Sequence, residues 1–300
     1  MYAGGSLNDY VLSLILGIIE GLTEFLPVSS TAHLRISEAL LGIDLGNGYW
    51  KMFSIVIQLG AILCLPIYFR DRIAEFLRDF PKGKRGTRTV LTHPLSLTML
   101  AFVVTAIPAF LLTKVIGKHL ESLTIMGSSL IIGGIVMWAV DGIYERSQHT
   151  AFARGKLTTD MEEMSIGQAV WIGFCQIFSA VFPGTSRSMS TITGGELAGM
   201  DRPSALEFSF FLSIPTMIVA TVYDLFKSMR PHHGQPSAIG AMPSDAHSWI
   251  VLAIGFVVSF IVAYFVVAWF MNWVRSRGLA VFAIYRIIVG AAVLWWVVRK

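Results

Sequence analysis

Residues 20–33, EGLTEFLPVSSTAH, set two acids, a run of hydroxyls and a histidine inside an apolar chain. Glu20 and Glu24 are four apart, so on a helix they share a face. An acid at the centre of a bilayer costs about 2.5–3.5 kcal/mol on insertion scales, so two together require a cavity, a cation or a proton. Two hard carboxylate ligands one turn apart suit Mg²⁺ or Ca²⁺, with phosphate oxygens and water completing the shell. The plainer alternative is a pair of protonated or capping acids between helices. Pro27 breaks the helix, and Ser29, Ser30 and Thr31 are residues that cap the next one, whose N–H groups then form an anion site. His33 follows Ser30 by three and shares its face, as a general base beside a nucleophilic hydroxyl would.

A second polar stretch, PGTSRSMSTITGG at 183–195, has the same grammar with a different charge. Gly184 allows close approach of the backbone to a ligand, the hydroxyls Thr185, Ser186, Ser188 and Ser190 follow, and Arg187 is a permanent cation. Its partner must be anionic. It either pairs with Glu20 and Glu24 or clamps a phosphate bidentately, and the two can hold in turn. Gln58, Glu207, Asp224 and Arg286 lie in or at the ends of apolar runs and are read as supporting or interhelical partners, while Asp201 and Arg202 read as solvated loop charges.

The elements that must position these residues are membrane helices. The 300 residues are 54% hydrophobic and 14% charged, with mean hydropathy +0.66. Apolar runs at 52–69, 95–113, 122–140, 205–226, 249–273 and 279–298 are long enough to span a bilayer. Two shorter runs, 11–26 and 166–182, stop at Pro27 and Pro183 and continue into half-apolar arms, a pattern that predicts re-entrant hairpins. No basic region or cleavage site precedes 11–26, so this segment is expected to be retained. Cys64 and Cys175 sit in apolar runs and read as buried small hydrophobes. No basic cluster with interleaved aromatics points to nucleic acid.

Residues 14–30 overlay 170–186 at an offset of 156, with Glu20 on Gln176, Pro27 on Pro183 and Ser30 on Ser186. The register persists downstream, Tyr68 falling on Tyr223 and Gly134 on Gly290. This predicts one all-α polytopic membrane domain, 1–300, made of two repeats, 9–145 and 165–300, each with one re-entrant helical hairpin and three transmembrane helices. Three is odd, so the repeats have inverted topology and the hairpin tips meet at the midplane. With loop 70–94 on the cytoplasmic side, twelve Lys and Arg lie inside and seven outside, the direction favoured by the positive-inside rule.

The motifs EGLTEFLPVSSTAH, PGTSRSMSTITGG, LEFSFFLSIP and VFAIYRIIVG resemble the undecaprenyl-pyrophosphate phosphatase family of the bacitracin-resistance type over essentially the whole chain. The resemblance implies an enzyme of the bacterial inner membrane that hydrolyses undecaprenyl diphosphate to undecaprenyl phosphate, recycling the lipid carrier of cell-wall synthesis. It also implies a site reached from the periplasm and dependent on a divalent cation. The family's functional residues carry over onto Glu20, Glu24, Ser29, Ser30 and His33, and onto Ser186, Arg187 and Thr191. Ala32 and Met189 stand where the family typically has glycine, and Met189 is expected to add bulk near the phosphate. The joint expectation is catalysis by Ser30, His33, Glu20, Glu24 and Arg187. Ser29, Thr31, Gly184, Ser186 and Thr191 bind substrate, Glu20 and Glu24 hold Mg²⁺ or Ca²⁺, and covalent and direct-water routes stay open. Partners are the membrane and a polyprenyl diphosphate lipid, and a homodimer is left open. The competing class is a lipid flippase or ion-coupled transporter, and a pure scaffold leaves the polar tips unexplained.

Overall fold

The computed structural model describes residues 8–44, 47–112, 122–153, 157–229 and 245–299. It is helical, with no strand among the described residues and one isolated bridge, Thr158 to Met200. Helices α1 (Asp9–Thr23) and α2 (Ser30–Leu40) are followed by α3 (Gly48–Ile62) and α4 (Cys64–Tyr68), then α5 (Arg70–Asp79), α6 (Pro94–Leu111) and α7 (Leu123–Ala153). After a 3₁₀ turn at Met161–Glu163 come α8 (Ile166–Val181), α9 (Arg187–Leu197), α10 (Arg202–Met229), α11 (Ala246–Trp273) and α12 (Ala280–Arg299).

Among the described residues six stretches are long and apolar enough to cross a membrane: Gly48–Tyr68, Pro94–Leu111, Leu123–Arg146, Arg202–Phe226, Ala246–Trp273 and Ala280–Arg299. They coincide with the six runs read from hydropathy. The first comprises α3 and α4, interrupted at Leu63 three residues before Pro66. Start signals are local: Asn8 accepts from Tyr10 N–H at 2.9 Å, Asp245 accepts from Ser248 N–H at 3.0 Å, and Ser165 with Gln168 forms a capping box.

Glycines set the closest approaches. Gly17 and Gly21 of α1 lie against the α11 backbone at Gly255 and Ser259, and Gly173 of α8 lies against Ala101 of α6, where an added Cβ would come within 2.6 Å of the Ala101 carbonyl. Helix α3 packs on α11, α6 on α10, and α7 on α12.

Charges at the loop ends are paired. Arg72 donates to Glu207, Glu75 and Asp160 at 2.9, 3.1 and 2.7 Å, joining α5, the 3₁₀ turn and α10. Arg202, expected in solvent, is instead largely buried and donates to Glu196 at 3.1 Å and Asp141 at 2.5 Å, while Asp141 also accepts from Leu279 and Ala280 N–H. Proximity in space supplies partners that loop position concealed. Cys64 is buried, Cys175 is half-buried, and both are free thiols. Of the 227–247 segment, residues 230–244 with His232 and His233 lie outside the described residues; His247 contacts Asp9 at 3.0 Å and Tyr10 at 2.9 Å.

Candidate active site between the two helix breaks

Two interruptions, 24–29 between α1 and α2 and 182–186 between α8 and α9, face each other inside the molecule. Each ends on a serine in a conformation that L-residues rarely adopt: Ser29 has φ 73° and Ser186 φ 72°. Such a backbone costs on the order of 1–3 kcal/mol and persists only where the surroundings enforce it. Both serines then cap the following helix, Ser29 accepting from Ala32 N–H at 3.5 Å and Ser186 from Met189 N–H at 3.3 Å. The backbone therefore makes Ser186 the counterpart of Ser29, one residue off the sequence overlay, and Arg187 the counterpart of Ser30.

Tip one carries the acids. Glu20 is fully buried, and neither of its carboxylate oxygens has a partner among the described residues. Glu24 is buried and accepts from the Ser30 hydroxyl at 2.6 Å through Oε2. Through Oε1 it accepts from Arg187 Nη2 of tip two at 3.2 Å. Arg187 also donates to Ser213 Oγ on α10, and Ser213 in turn donates to the Ser209 carbonyl at 2.6 Å. Thr191 and Ser209 hydroxyls lie 2.6 Å apart. A second bond joins the tips, Ser188 Oγ donating to the Leu26 carbonyl at 2.9 Å.

A cavity of about 440 Å³ opens on this cluster. Glu24, Ser29, Ser30, Thr31, Gly184, Ser186 and Arg187 form its polar end; Phe102, Ala106, Ala109 and Phe110 of α6 with Met217, Val219 and Ala220 of α10 form an apolar flank toward the C-terminal ends of those helices. Gln176 and Thr216 also line it, joined by a 3.2 Å hydrogen bond.

Several expectations are relocated. His33 does not bond to Ser30: Nδ1–H donates to the Ser29 carbonyl at 2.8 Å, and Nε2 accepts from the Tyr285 hydroxyl at 2.7 Å, outside the cavity lining. One turn of helix puts the ring on the side of α2 that meets α12, and the Ser30 hydroxyl turns to the nearer carboxylate. Gly184, at φ 95°, makes its close approach to the Met126 backbone of α7 while lining the cavity. Met189, expected near the phosphate, is buried beside Gly133 of α7 with Sδ 3.8 Å from Thr193 Oγ1, and is absent from the lining. Thr191 is buried behind the tip on Ser209 rather than in the cavity wall. Ser213, Gln176 and Tyr285 belong to this neighbourhood but were not assigned to it from the sequence, although Ser213 and Tyr285 lie inside LEFSFFLSIP and VFAIYRIIVG and Gln176 falls on Glu20 in the repeat overlay.

For a cation, the orphaned oxygens of Glu20 beside Glu24 fit a hard divalent ion. No group of three or more His, Cys, Asp or Glu stands together among the described residues, so an ion on Glu20 and Glu24 would draw its remaining ligands from other oxygens.

Comparison with known proteins places the chain in a family. Residues 13–292 match the family described as bacitracin resistance protein BacA. The chain belongs to this family. A protein of Koribacter versatilis called undecaprenyl-diphosphatase is 68% identical over 294 residues, 98% of this chain and 100% of that protein. Proteins of the same description from Sorangium cellulosum and Aquifex aeolicus are 40% identical over 283 residues and 39% over 279, covering 94% and 93% of this chain and 85% and 94% of theirs. Both helix breaks lie inside the region matched to the BacA family.

Proposed function

We propose that the protein is an integral-membrane undecaprenyl-diphosphate phosphatase, releasing inorganic phosphate and undecaprenyl phosphate and so recycling the lipid carrier of bacterial cell-wall synthesis. The observation that carries the chemistry is the Ser30–Glu24–Arg187 chain, in which one carboxylate accepts from a nucleophilic hydroxyl and from the only guanidinium facing the cavity among the described residues. An ion-coupled transporter needs no hydroxyl on its acid, so the flippase or transporter alternative is not favoured.

Arg187 moves from Glu24 to the terminal phosphate and clamps it with the N–H groups that open α2 and α9. Glu24, relieved of its cation partner, takes the Ser30 proton as Oγ attacks phosphorus; the bond to the bridging oxygen breaks and the lipid monophosphate leaves. Water then attacks the phosphoserine and releases phosphate. Glu20, with the Glu24 oxygen that Arg187 vacates, would hold Mg²⁺ or Ca²⁺, which would offset negative charge on the transferring phosphoryl group. His33 fixes the Ser29 carbonyl and is itself oriented by Tyr285, acting on the geometry of the tip. Ser29, Thr31, Gly184 and Ser186 bound the phosphate end, and the apolar flank takes the start of the prenyl chain.

The 1–300 membrane domain is read as two inverted repeats, 9–145 and 165–300, with the α1–α2 and α8–α9 pairs as re-entrant hairpins. The packing supports this by exchanging partners in two-fold fashion: α1 on α11 and α8 on α6, α3 on α11 and α10 on α6. Basic residues concentrate on the face of α5, so the cavity, which opens toward the other face, is assigned to the periplasmic side of the inner membrane. The test is phosphate release from undecaprenyl diphosphate by detergent-purified protein with Mg²⁺ or Ca²⁺ and with chelator. Cation-dependent release supports the reading; well-folded protein that releases none refutes it. Near-full turnover by Ser30→Ala would refute the covalent route and leave direct attack by water.

A further inference from the structure

We infer that Arg286, in the middle of α12, is a positioning residue that clamps the two helix breaks together so that Ser30 and Arg187 bear on one phosphate; the inference rests on the phosphatase reading above. Arg286 is fully buried. Its Nη1 donates to the Pro27 carbonyl of tip one at 3.1 Å, and its Nη2 donates to the Gly184 and Thr185 carbonyls of tip two at 3.1 and 2.9 Å and to Ser129 of α7 at 3.2 Å. Each of these acceptors is a main-chain carbonyl. A guanidinium is suited to this because its donors are fixed in a planar fork, so one side chain spans three segments at once where an ammonium would gather one or two. Gly133 of α7 leaves the room: a Cβ there would collide with the Arg286 guanidinium.

The tips are also joined by the Arg187–Glu24 ion pair, by Arg187 over the Phe25 ring and by the Ser188–Leu26 bond. Substrate binding draws Arg187 away from Glu24, so the first of these is lost at the moment when the tips must be aligned. Arg286 is independent of that exchange, since it does not bond to Glu24, is not itself part of the cavity lining, and holds only main-chain carbonyls.

The experiment compares wild type, Arg286→Ala, Arg286→Lys and Gly133→Ala by two readouts. One is kcat and KM for undecaprenyl diphosphate. The other is the distance distribution between spin labels on Leu26→Cys and Phe182→Cys, one on each tip, in a background lacking Cys64 and Cys175. Misplacement of reacting groups by about 1 Å costs on the order of 100-fold, so Arg286→Ala should lose about that factor in kcat with KM changed only a few-fold and with a broadened distance distribution. Gly133→Ala, which keeps the charge but displaces the guanidinium, should move both readouts the same way, and Arg286→Lys should fall between. If Arg286→Ala does not fold, the Lys and Gly133 variants decide. An unchanged distance distribution, or a broadened one with kcat kept within about threefold, overturns the clamp. Wild-type protein without turnover refutes the phosphatase reading instead and leaves the distance readout to judge the clamp alone.

Discussion

Tip one and tip two share a backbone and divide the chemistry. Ser29 and Ser186 have φ values of 73° and 72°, each caps the helix that follows, and each is preceded by a proline two or three residues earlier. The next residue is Ser30 in one tip and Arg187 in the other; behind them stand two buried acids, Glu20 of α1 and Glu24 at its C-terminal cap, but Gln176 and Ala180 in α8. On the proposed mechanism the two cradles are asymmetric, with nucleophile, base and cation site on one side and a phosphate clamp on the other. Opposed charges also pair across the tips, Glu24 and Arg187 lying 3.2 Å apart. Removing one member of a buried pair strands the other, so folding must be checked alongside activity in every variant.

The comparison breaks most completely at Glu24. Glu24→Gln deprives Ser30 of its proton acceptor and Arg187 of its partner, and phosphate release should fall by about 10³-fold or more, measured under saturating cation on protein whose melting curve is retained. Arg187→Lys keeps the charge of tip two and loses the fork, so turnover should fall by about 10²-fold, read as kcat at saturating substrate. Thr191→Val tests the support behind the clamp: it removes the 2.6 Å bond to Ser209, worth about 1 kcal/mol, and should lower kcat/KM several-fold.

The smallest effect lies away from both tips. Hydrogen bonds from Lys84 and Arg72 hold the Glu75 carboxyl below the ordinary glutamate range. A depressed folded value means the stabilisation is fully present above the ordinary value of about 4.3 and disappears as pH falls through the folded value. Melting temperature should therefore drop slightly across that acid window in wild type and not through this group in Glu75→Gln.

The contrast between the tips was partly legible in the sequence. Pro27 and Pro183, the capping hydroxyls and the six apolar runs are local signals, and local physics governs where helices start and stop. Glu20, Glu24 and Arg187 stood out because a charge in an apolar run is costly. Side-chain direction was not legible. His33 shares a face with Ser30 on a helical wheel, yet its ring reaches Tyr285, 252 residues away, and Ser30 finds Glu24. Arg286 was visible as a buried charge but not as a clamp, since a main-chain carbonyl acceptor leaves no mark on residue type. Arg202 looked solvated because its acids, Asp141 and Glu196, come from other helices.

The central claim is that both tips act on a single phosphate. It is tested most directly by a double-mutant cycle on kcat/KM for undecaprenyl diphosphate with Glu24→Gln, Arg187→Lys and the double variant. Groups acting as one unit are not additive, so the double variant should be little worse than Glu24→Gln alone. A double variant slower by the product of the two separate losses would contradict the account.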